Sequence, residues 1–409
     1  MTTKPLSPRA LIVIPTLNEA AHLDGVVQQL LADIAALDRS AQGSARLVIV
    51  DGGSTDGTLA LAEALERQHP SVTLLHNRAR IQSAAINLAV RRFGHGCDVL
   101  IRCDAHAAYP PAFCSRLLAT LERTGADAVV VPLDSAGEAG LQRVVGWVCN
   151  SRLGTGGAAH RAGRTSGFVD HGHHAAFRLD MFRRCGGYDE TFTHNEDAEL
   201  DCRQRALGAR VYLDADIRVV YRPRASLAGL WRQYHNYGIG RSRTAQRHPR
   251  SLRLRQVALP VNLVGMGLAL ALCPLVAPLA SWPVAYLGAL GAAAAGLVVK
   301  HRTPAAALAA PVALVMHTAW ASGFIHGLVA RREKPWRPEM ARPLEVLHDE
   351  PAHGAEAGAS GAKPPESNAL ESHVPESHVP ESHASERQAS LLATSALEAS
   401  ALRASGESA

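Results

Sequence analysis

Short apolar runs alternate with amphipathic stretches over residues 1–245 of the 409-residue chain. Five of the runs are apolar on both faces, as buried parallel strands are, and they lie at 10–15, 46–53, 72–77, 98–105 and 127–132. Stretches with the period of a helix lie between them, at about 21–37, 58–68, 81–93 and 112–123. This alternation predicts an open, mostly parallel α/β sheet in a first domain, with ligands bound beyond the carboxyl ends of the strands.

Two long stretches without charge follow this domain. No residue from Gln256 to Val299 is charged, and the stretch is long enough for two membrane spans of about 20 residues each. A second uncharged stretch, Thr303–Ala330, is long enough for a third. We therefore expect a membrane domain at 246–337, with helices at about 257–280, 282–299 and 304–330. The alternative is a set of buried helices in a soluble domain.

Basic residues flank these stretches before, between and after the expected helices: Arg250, Arg253, Arg255, Lys300, Arg302, Arg331, Arg332, Lys334 and Arg337. Such residues mark cytoplasmic loops. If two helices span the membrane, the first two groups of basic residues lie on its cytoplasmic side. A third full span would place the last group on the opposite side, against this rule. Thr303–Ala330 is thus either a span that breaks this rule or a re-entrant or interfacial helix, and the sequence leaves both open.

The two ends of the chain differ in composition from the rest. Residues 338–409 are rich in Ala, Ser, Glu, Pro and His and contain the repeat PESHVPESHVPESHASE, so we expect a disordered tail whose histidines bind metal weakly, if at all. The first ten residues lack a secretory pattern. The seven scattered cysteines indicate reduced thiols, and the net charge of +5 is mild. We expect the first domain to be cytoplasmic.

Polar motifs stand at the ends of the predicted strands. The first strand runs into Pro15-Thr16-Leu17-Asn18-Glu19, and the second into Asp51-Gly52-Gly53. A carboxylate after a strand lies in the ligand crevice, and the glycines let a ligand approach the backbone. Asp51 can therefore accept a hydrogen bond from an imide N–H such as that of uracil. The alternative is a simple turn with a capping aspartate.

The fourth strand ends in Asp104-Ala105-His106. Spacing i, i+2 directs both side chains to one side, where they suit a divalent cation that bridges a diphosphate and stabilises it as a leaving group. Imidazole is softer than carboxylate, so His106 favours Mn²⁺ over Mg²⁺. The alternative is an ordinary loop carboxylate with an ordinary histidine.

Two further clusters carry ionisable side chains. Glu196 and Asp197 open a helical pattern, where they either favour the helix dipole or include a general base that takes a proton from an acceptor hydroxyl. His171 and His173 share a face of a predicted strand beside His174. These histidines could form a zinc site, contact the acceptor or a diphosphate, or serve the structure alone.

The motifs IPTLNEAAHL, VDGGSTDGT, DAH and NEDAEL, in this order, resemble glycosyltransferase family 2, the inverting enzymes of the GT-A fold. The resemblance covers the first 245 residues. The segments RCDAHAAYP and AAFRLDMFRRCGGYDE resemble the branch that builds succinoglycan. This resemblance implies transfer of a hexose, with UDP-glucose as the expected donor, to a polyprenyl-diphosphate-linked sugar in exopolysaccharide synthesis. The alternative is a membrane glycosyltransferase that acts on another lipid acceptor. The resemblance further implies a multi-pass protein of the inner membrane that works with other polysaccharide-assembly proteins.

The resemblance also implies roles for single residues. Asp197 matches the catalytic base, with Glu196 beside it. Asp104 is the first residue of the metal motif. The remaining positions expected to contact the donor are Pro15, Thr16, Glu19, Asp51 and Arg80. Gln233 to Arg241 lies where related synthases hold the diphosphate and acceptor, although QYHNYGIGR is not their QxxRW motif.

Other functions fit the sequence less well. A nucleotidyltransferase usually has a Gly-rich, basic phosphate loop after its first strand, and PTLNEAAH has neither feature. A non-catalytic membrane scaffold would not need carboxylates at three separate sites. The arginines from Arg241 to Arg255 lead into a membrane segment and suit anionic lipid head groups or a lipid diphosphate. Nucleic acid is a poor partner, because no aromatic stacking platform accompanies them.

Overall fold

The structure is a computed structural model that describes residues 8–40, 43–156 and 165–347. Its strands are β1 Arg9–Thr16, β2 Ser44–Asp51, β3 Val72–His76, β4 Val99–Arg102, β5 Ala107–Ala108, β6 Ala128–Val131, β7 Leu133–Ser135, β8 Gly167–Val169, β9 His173–Arg178, β10 Val211–Leu213 and β11 Val219–Tyr221. Its first eight α-helices are α1 Leu23–Ser40, α2 Thr58–Gln68, α3 Gln82–Phe93, α4 Phe113–Thr124, α5 Gly140–Cys149, α6 Arg152–Thr155, α7 Leu179–Arg184 and α8 Glu196–Ala206.

An eight-stranded sheet in the order β3-β2-β1-β4-β9-β6-β10-β8 forms the centre of the fold. The five predicted strands are confirmed as β1 to β4 and β6. Strands β1 to β4 are parallel neighbours, whereas β9 runs antiparallel between β4 and β6. A strand through His171 and His173 was expected, but β9 begins only at His173, and its position beside β4 was not predicted. A small sheet of β5, β11 and β7 lies apart from the main one.

The core lies on both faces of the sheet, because successive side chains of a strand point to opposite faces. Ile12 and Ile14 of β1 pack against α1, α2 and α4, while Leu11 and Val13 pack against α3, α7 and α8. All four side chains are fully buried. Burial on both faces explains why the strands read as continuous apolar runs and why the prediction of a buried sheet is confirmed.

Four longer helices follow: α9 Leu227–Arg247, α10 Leu254–Leu272, α11 Ser281–His301 and α12 Ala309–Ala330. Three apolar segments that include α10, α11 and α12 are long and apolar enough to cross a membrane. The first helix ends at Leu272 rather than near residue 280. Pro274 lies just beyond this end and has no N–H to continue the helical hydrogen bonds, although Cys273 before it still has helical backbone angles.

The predicted tail falls into two parts. Residues 338–347 are described and contact the part of the chain that carries the sheet, through a hydrogen bond from Leu344 N to Arg183 O of 2.8 Å. The remaining tail, 348–409, lies outside the described residues, and so do its histidine repeats.

Candidate active site

A cavity of about 1120 Å³ opens beyond the carboxyl end of β4. Eight of the predicted site residues line it: Asp104, His106, His171, His173, Glu196, Asp197, Gln233 and Arg241. The other five, Pro15, Thr16, Glu19, Asp51 and Arg80, lie on β1, on β2 or in the loops after β1 and β3 and are not among its lining residues. The sequence prediction therefore divides into a cavity group and a neighbouring strand-end group.

The strand-end group is organised around Asp51. This residue is 1% exposed, and its Oδ2 accepts hydrogen bonds from Gly53 N at 2.7 Å and Ser54 N at 3.1 Å. Its Oδ1 accepts one from Ser54 Oγ at 2.5 Å. Gly53 has φ +83°, which a residue with a side chain rarely adopts. The glycine turn thus wraps around the carboxylate, and a base N–H would have to share Oδ1 with Ser54.

One hydrogen bond joins the two groups. His106 Nδ1 lies 2.8 Å from Glu19 Oε1. This bond is the main reason that the pKa of His106 is raised, although burial opposes the shift. The raised pKa favours the imidazolium form, in which Nδ1–H donates to Glu19. His106 must have a deprotonated ring nitrogen, Nδ1 or Nε2, before it can bind a cation.

Asp104 lies at the mouth of the crevice with several donors around it. Its Oδ1 accepts from Gln82 Nε2 at 2.8 Å and lies 3.8 Å from Arg102 Nε, and its Oδ2 lies 3.7 Å from His173 Nε2. Burial opposes ionisation, but Arg102 and His173 lower the pKa of Asp104. The carboxylate is therefore charged at neutral pH and faces the cavity.

A buried arginine holds the carboxylates together. Arg102, the last residue of β4, pairs with Asp197 and lies 3.4 Å from Glu196 Oε1. Its Nη1 also donates to Tyr188 Oη at 3.1 Å. The side chain of Arg102 is 5% exposed, so its charge is balanced by these carboxylates and Asp104 rather than by water.

His174 supports Asp197 from the other side. This fully buried histidine lies with Nδ1 3.2 Å from Asp197 Oδ1 and with Nε2 2.9 Å from Asp201 Oδ1. Asp201 also bonds to His171 Nδ1 at 2.7 Å. Burial disfavours the charge of His174, but Asp201, Tyr188 and Asp197 raise its pKa well above the usual value. An Asp201–His174–Asp197 chain results.

The neighbouring histidines have different surroundings. His173 lies between Asp104 and Asp197, 3.7 Å from Asp104 Oδ2 and 3.9 Å from Asp197 Oδ2. Burial lowers its pKa despite both carboxylates. Within 8–40, 43–156 and 165–347, no group of three or more His, Cys, Asp or Glu side chains is arranged to hold a metal ion. His171 and His174 instead form hydrogen bonds with Asp201, and His173 lies near two carboxylates without bonding to either.

Glu196 and Asp197 are adjacent, but their pKa values shift in opposite directions. Burial, and then the charge of Asp197, raises the pKa of Glu196 to about 7. Burial also penalises the charge of Asp197, but Arg102 and His174 hold its pKa well below the usual value. Asp197 is thus the member of the pair that is ionised at neutral pH, whereas the raised pKa of Glu196 favours its protonated form.

Packing against α9 fixes the start of α8, where this pair lies. Asn195 precedes the helix with φ +66°, and its Oδ1 accepts a hydrogen bond from Thr244 Oγ1 at 3.1 Å. Gly240 of α9 packs so closely that a Cβ there would lie 2.3 Å from His194 O. Helix α9 therefore sets the position of both carboxylates.

The residues of α9 predicted to hold a diphosphate or acceptor line the same cavity. Gln233 Nε2 donates to Tyr221 Oη at 2.9 Å and to Tyr237 Oη at 3.1 Å. Arg241 is 7% exposed and donates to Ser251 Oγ at 3.1 Å and Gln256 Oε1 at 3.0 Å. Its Nε has no hydrogen-bond partner among the described residues.

The residues that hold the site together were not predicted from the sequence. Arg102, Tyr188 and Asp201 had no predicted role, and His174 was one of three undifferentiated histidines. One signal was present for Arg102, because a charge at the end of an otherwise apolar buried strand requires a partner. Two of its partners, Tyr188 and Asp197, lie 86 and 95 residues away along the chain, and no local pattern identifies them.

Comparison with known proteins gives the family. The sequence profile described as "Glycosyl transferase family 2" matches residues 11–186. The chain is 42% identical over 331 residues to "Succinoglycan biosynthesis protein ExoA" of Rhizobium meliloti (strain 1021), covering 80% of this chain and 97% of that protein. The chain belongs to glycosyltransferase family 2. The resemblance of its sequence motifs to this family is therefore confirmed.

Two more distant relatives were found. The family 2 enzyme is 33% identical over 132 residues to "Polyprenol monophosphomannose synthase" of Mycolicibacterium smegmatis, covering 32% of this chain and 46% of that protein. Its fold is similar to a mannosyltransferase from Pyrobaculum calidifontis solved with GDP-Man and Mn²⁺. That similarity has a TM-score of 0.52 at 20% identity and covers 80% of this chain and 89% of the other. It confirms the GT-A fold.

Proposed function

We propose that this glycosyltransferase moves a hexose, expected to be glucose, from a UDP-sugar to a polyprenyl-diphosphate-linked sugar during exopolysaccharide synthesis. One observation carries the proposal: Asp104 and the Glu196–Asp197 pair meet around Arg102 at the wall of a single cavity. A carboxylate that can bind a cation for the leaving diphosphate thus lies beside one that can accept the proton of an attacking hydroxyl. The name of the 42% identical relative supports the pathway.

A divalent cation fits the Asp104 edge of the cavity. The donor set on the protein is small, a charged carboxylate with His106 nearby, and such cations commonly take one or two protein carboxylates and complete their shell with substrate phosphates and water. The cation would neutralise the diphosphate as it leaves. A ligating imidazole favours Mn²⁺ over Mg²⁺, and this preference requires His106 to bind the cation through a deprotonated ring nitrogen.

In the proposed mechanism, Asp197 accepts the acceptor's proton as the new bond forms. Its ionised state suits this role, and Arg102 and His174 hold its carboxylate in place. A single in-line displacement inverts the anomeric configuration, so an α-linked donor gives a β-linked product. Asp51, Pro15, Thr16, Glu19 and Arg80 are assigned to the uridine side. Glu196 remains the alternative base.

Arg241 is the proposed contact for the acceptor's diphosphate. Burial, with the nearby charges of Arg253 and Arg255, lowers the pKa of Arg241 to about 10, so it still carries a charge at neutral pH. A buried cation needs an anion; Arg241 lines the cavity, and its buried Nε has no hydrogen-bond partner among the described residues. Apolar side chains of the later helices, including Leu259 and Met316, line the same cavity and suit a lipid chain. We place the catalytic part at the cytoplasmic face of the inner membrane.

The test measures sugar transfer by purified enzyme from a panel of labelled nucleotide sugars to a lipid extract, with Mn²⁺ or Mg²⁺. We expect transfer from UDP-glucose. Asp197→Asn should lower the transfer rate by about 10²–10⁴-fold while donor affinity stays nearly unchanged. The exposed Asp38→Asn is the matched control and should behave as wild type. Substantial turnover by Asp197→Asn would reject its role, and nucleotide transfer instead of sugar transfer would reject the proposed function.

A further inference from the structure

The segment that follows α12 returns to the part of the chain that carries the active site. Leu344 is 5% exposed and packs in the same apolar cluster as Phe182 and Tyr188. Leu344 N donates to Arg183 O, and Leu347 N donates to Arg91 O, both at 2.8 Å. Residues 331–347 therefore lie on the same side of any membrane as the catalytic cavity.

Helix α12 lies alongside α9 and runs in the same direction. His235 Nδ1 lies 3.1 Å from Ser322 Oγ, and further along both helices Gln246 Nε2 donates to Gly327 O at 3.3 Å. The contact needs small residues, because a Cβ at Gly323 would lie 1.9 Å from His235 O. Helix α12 is thus packed tightly against a helix that supports the active site.

Both ends of α12 are attached to the catalytic part. Near its start, Val312 and Met316 pack with Val144 of α5, and His317 Nε2 lies 2.8 Å from Leu153 O. Just after its end, Glu333 pairs with Arg243 and Arg247 of α9. Arg243 also donates to Thr191 O at 2.6 Å, in the loop before α8. At 1.5 Å per residue, α12 is about 33 Å long. If α12 crossed a bilayer, its two ends would lie on opposite sides of the membrane, and they could not both contact the catalytic part.

Helices α10 and α11 are packed differently. Buried residues make up 11% and 22% of the most apolar stretches containing α10 and α11, against 44% for the stretch containing α12. The most exposed large apolar side chains of α10, α11 and their connection are Leu254, Val261, Val264, Leu268, Leu270, Leu275, Val284 and Val299. At 1.5 Å per residue, α10 is about 28 Å long and α11 about 31 Å, close to the roughly 30 Å hydrocarbon core.

We propose that α10 and α11 form a hairpin that crosses the membrane, and that α12 does not cross. Because the chain leaves the catalytic part at α9 and returns to it after α12, the number of crossings between them must be even. Two crossings keep all three groups of basic residues on the side of the active site, which removes the conflict with the charge rule. The partner of the exposed apolar face is therefore the lipid of a bilayer. This inference rests on the proposed membrane location of the enzyme.

The test labels single cysteines with a membrane-impermeant maleimide in intact cells and in permeabilised cells. Cys97 and Cys273, the described cysteines that are not buried, are first replaced by serine. Single cysteines are then introduced as Leu275→Cys between α10 and α11, Met340→Cys after α12, and Gln68→Cys in α2 as the catalytic-side reference. These three positions are exposed. Each variant must retain sugar transfer, which shows that it is folded.

We expect Leu275→Cys to react in intact cells, and Met340→Cys and Gln68→Cys to react only after permeabilisation. Met340→Cys reacting together with Leu275→Cys would show that α12 crosses and would overturn the inference. Leu275→Cys reacting together with Gln68→Cys would show that the hairpin does not cross, which also overturns it. Recovery of the enzyme from cells without detergent would instead reject the membrane location, while the transfer assay tests the activity separately.

Discussion

Arg102 is predicted to be the residue on which both the stability and the chemistry of the site depend. Replacing it as Arg102→Met keeps much of the side-chain length and removes the charge. The variant leaves Asp197, Glu196 and Asp104 without the guanidinium that lies within 3.8 Å of each. It also removes the donor to Tyr188 Oη at 3.1 Å. Several buried acids would then share a site with no arginine.

The expected loss follows from the burial of these groups. Removing one partner of a buried ion pair costs roughly 3–5 kcal/mol, because the remaining charge is buried without compensation. At about 2–4 °C per kcal/mol, the scale for domains of 150–250 residues, the thermal midpoint falls by roughly 6–20 °C. The matched control is Arg123→Met. Arg123 lies 3.6 Å from Asp214 with its side chain 60% exposed, and such surface pairs contribute about 0–1 kcal/mol.

The loss should also depend on pH. Asp197 has a lowered pKa in the folded protein, so its stabilisation is present above its unfolded pKa and is lost as the pH falls through its folded pKa. Without Arg102 that folded pKa rises. At pH values between the folded pKa of Asp197 in the wild type and its folded pKa in Arg102→Met, the two proteins should become more alike in unfolding free energy as the pH falls. The difference should shrink by up to about 1.4 kcal/mol per pH unit.

The assay is thermal unfolding of detergent-solubilised wild type, Arg102→Met and Arg123→Met between pH 5 and pH 8, alongside sugar transfer at pH 7. The double variant Arg102→Met with Asp197→Asn should recover part of the lost stability, because it removes one of the uncompensated charges. The reasoning is refuted if Arg102→Met loses no more stability than Arg123→Met at pH 7, or if its loss is the same at both ends of the pH range.

Three further predictions concern single residues. Glu196 has its folded pKa raised to about 7, so the stability it contributes is complete below its unfolded pKa and is lost as the pH rises through about 7. The thermal midpoint of wild type minus that of Glu196→Gln should therefore fall between pH 5 and pH 8, and a constant difference would contradict this. His106→Ala should lower transfer and reduce the advantage of Mn²⁺ over Mg²⁺, whereas equal rates for wild type with both ions would count against ligation by His106. Gly240→Ala should displace His194, destabilise the fold by about 1–3 kcal/mol and lower the rate of sugar transfer. Gly288→Ala, where an added Cβ meets nothing within 4 Å, should do neither. Equal activity of the two variants would refute the packing argument.

Local sequence determined most of the architecture and part of the site. The five strands β1 to β4 and β6 could be predicted because a strand buried on both faces must be apolar at every position, as Leu11 to Ile14 are. Asp104 and Asp197 could be assigned because each follows a recognisable boundary, the end of a strand or the start of a helix. Asp51 was placed in the same way, but the hydrogen bonds that its own turn makes to it could not be read from the motif.

Only the tertiary structure decided what these residues contact. The pairing of Arg102 with Asp197 joins positions 95 apart, and the chain of Asp201, His174 and Asp197 depends on the antiparallel insertion of β9. The same holds for the last apolar stretch. Its composition fits a membrane span and a buried helix equally well, because both require apolar side chains all around. The contacts of His317 in the first half of that helix and of Glu333 just after its end attach it to the catalytic part, and these contacts distinguish the two.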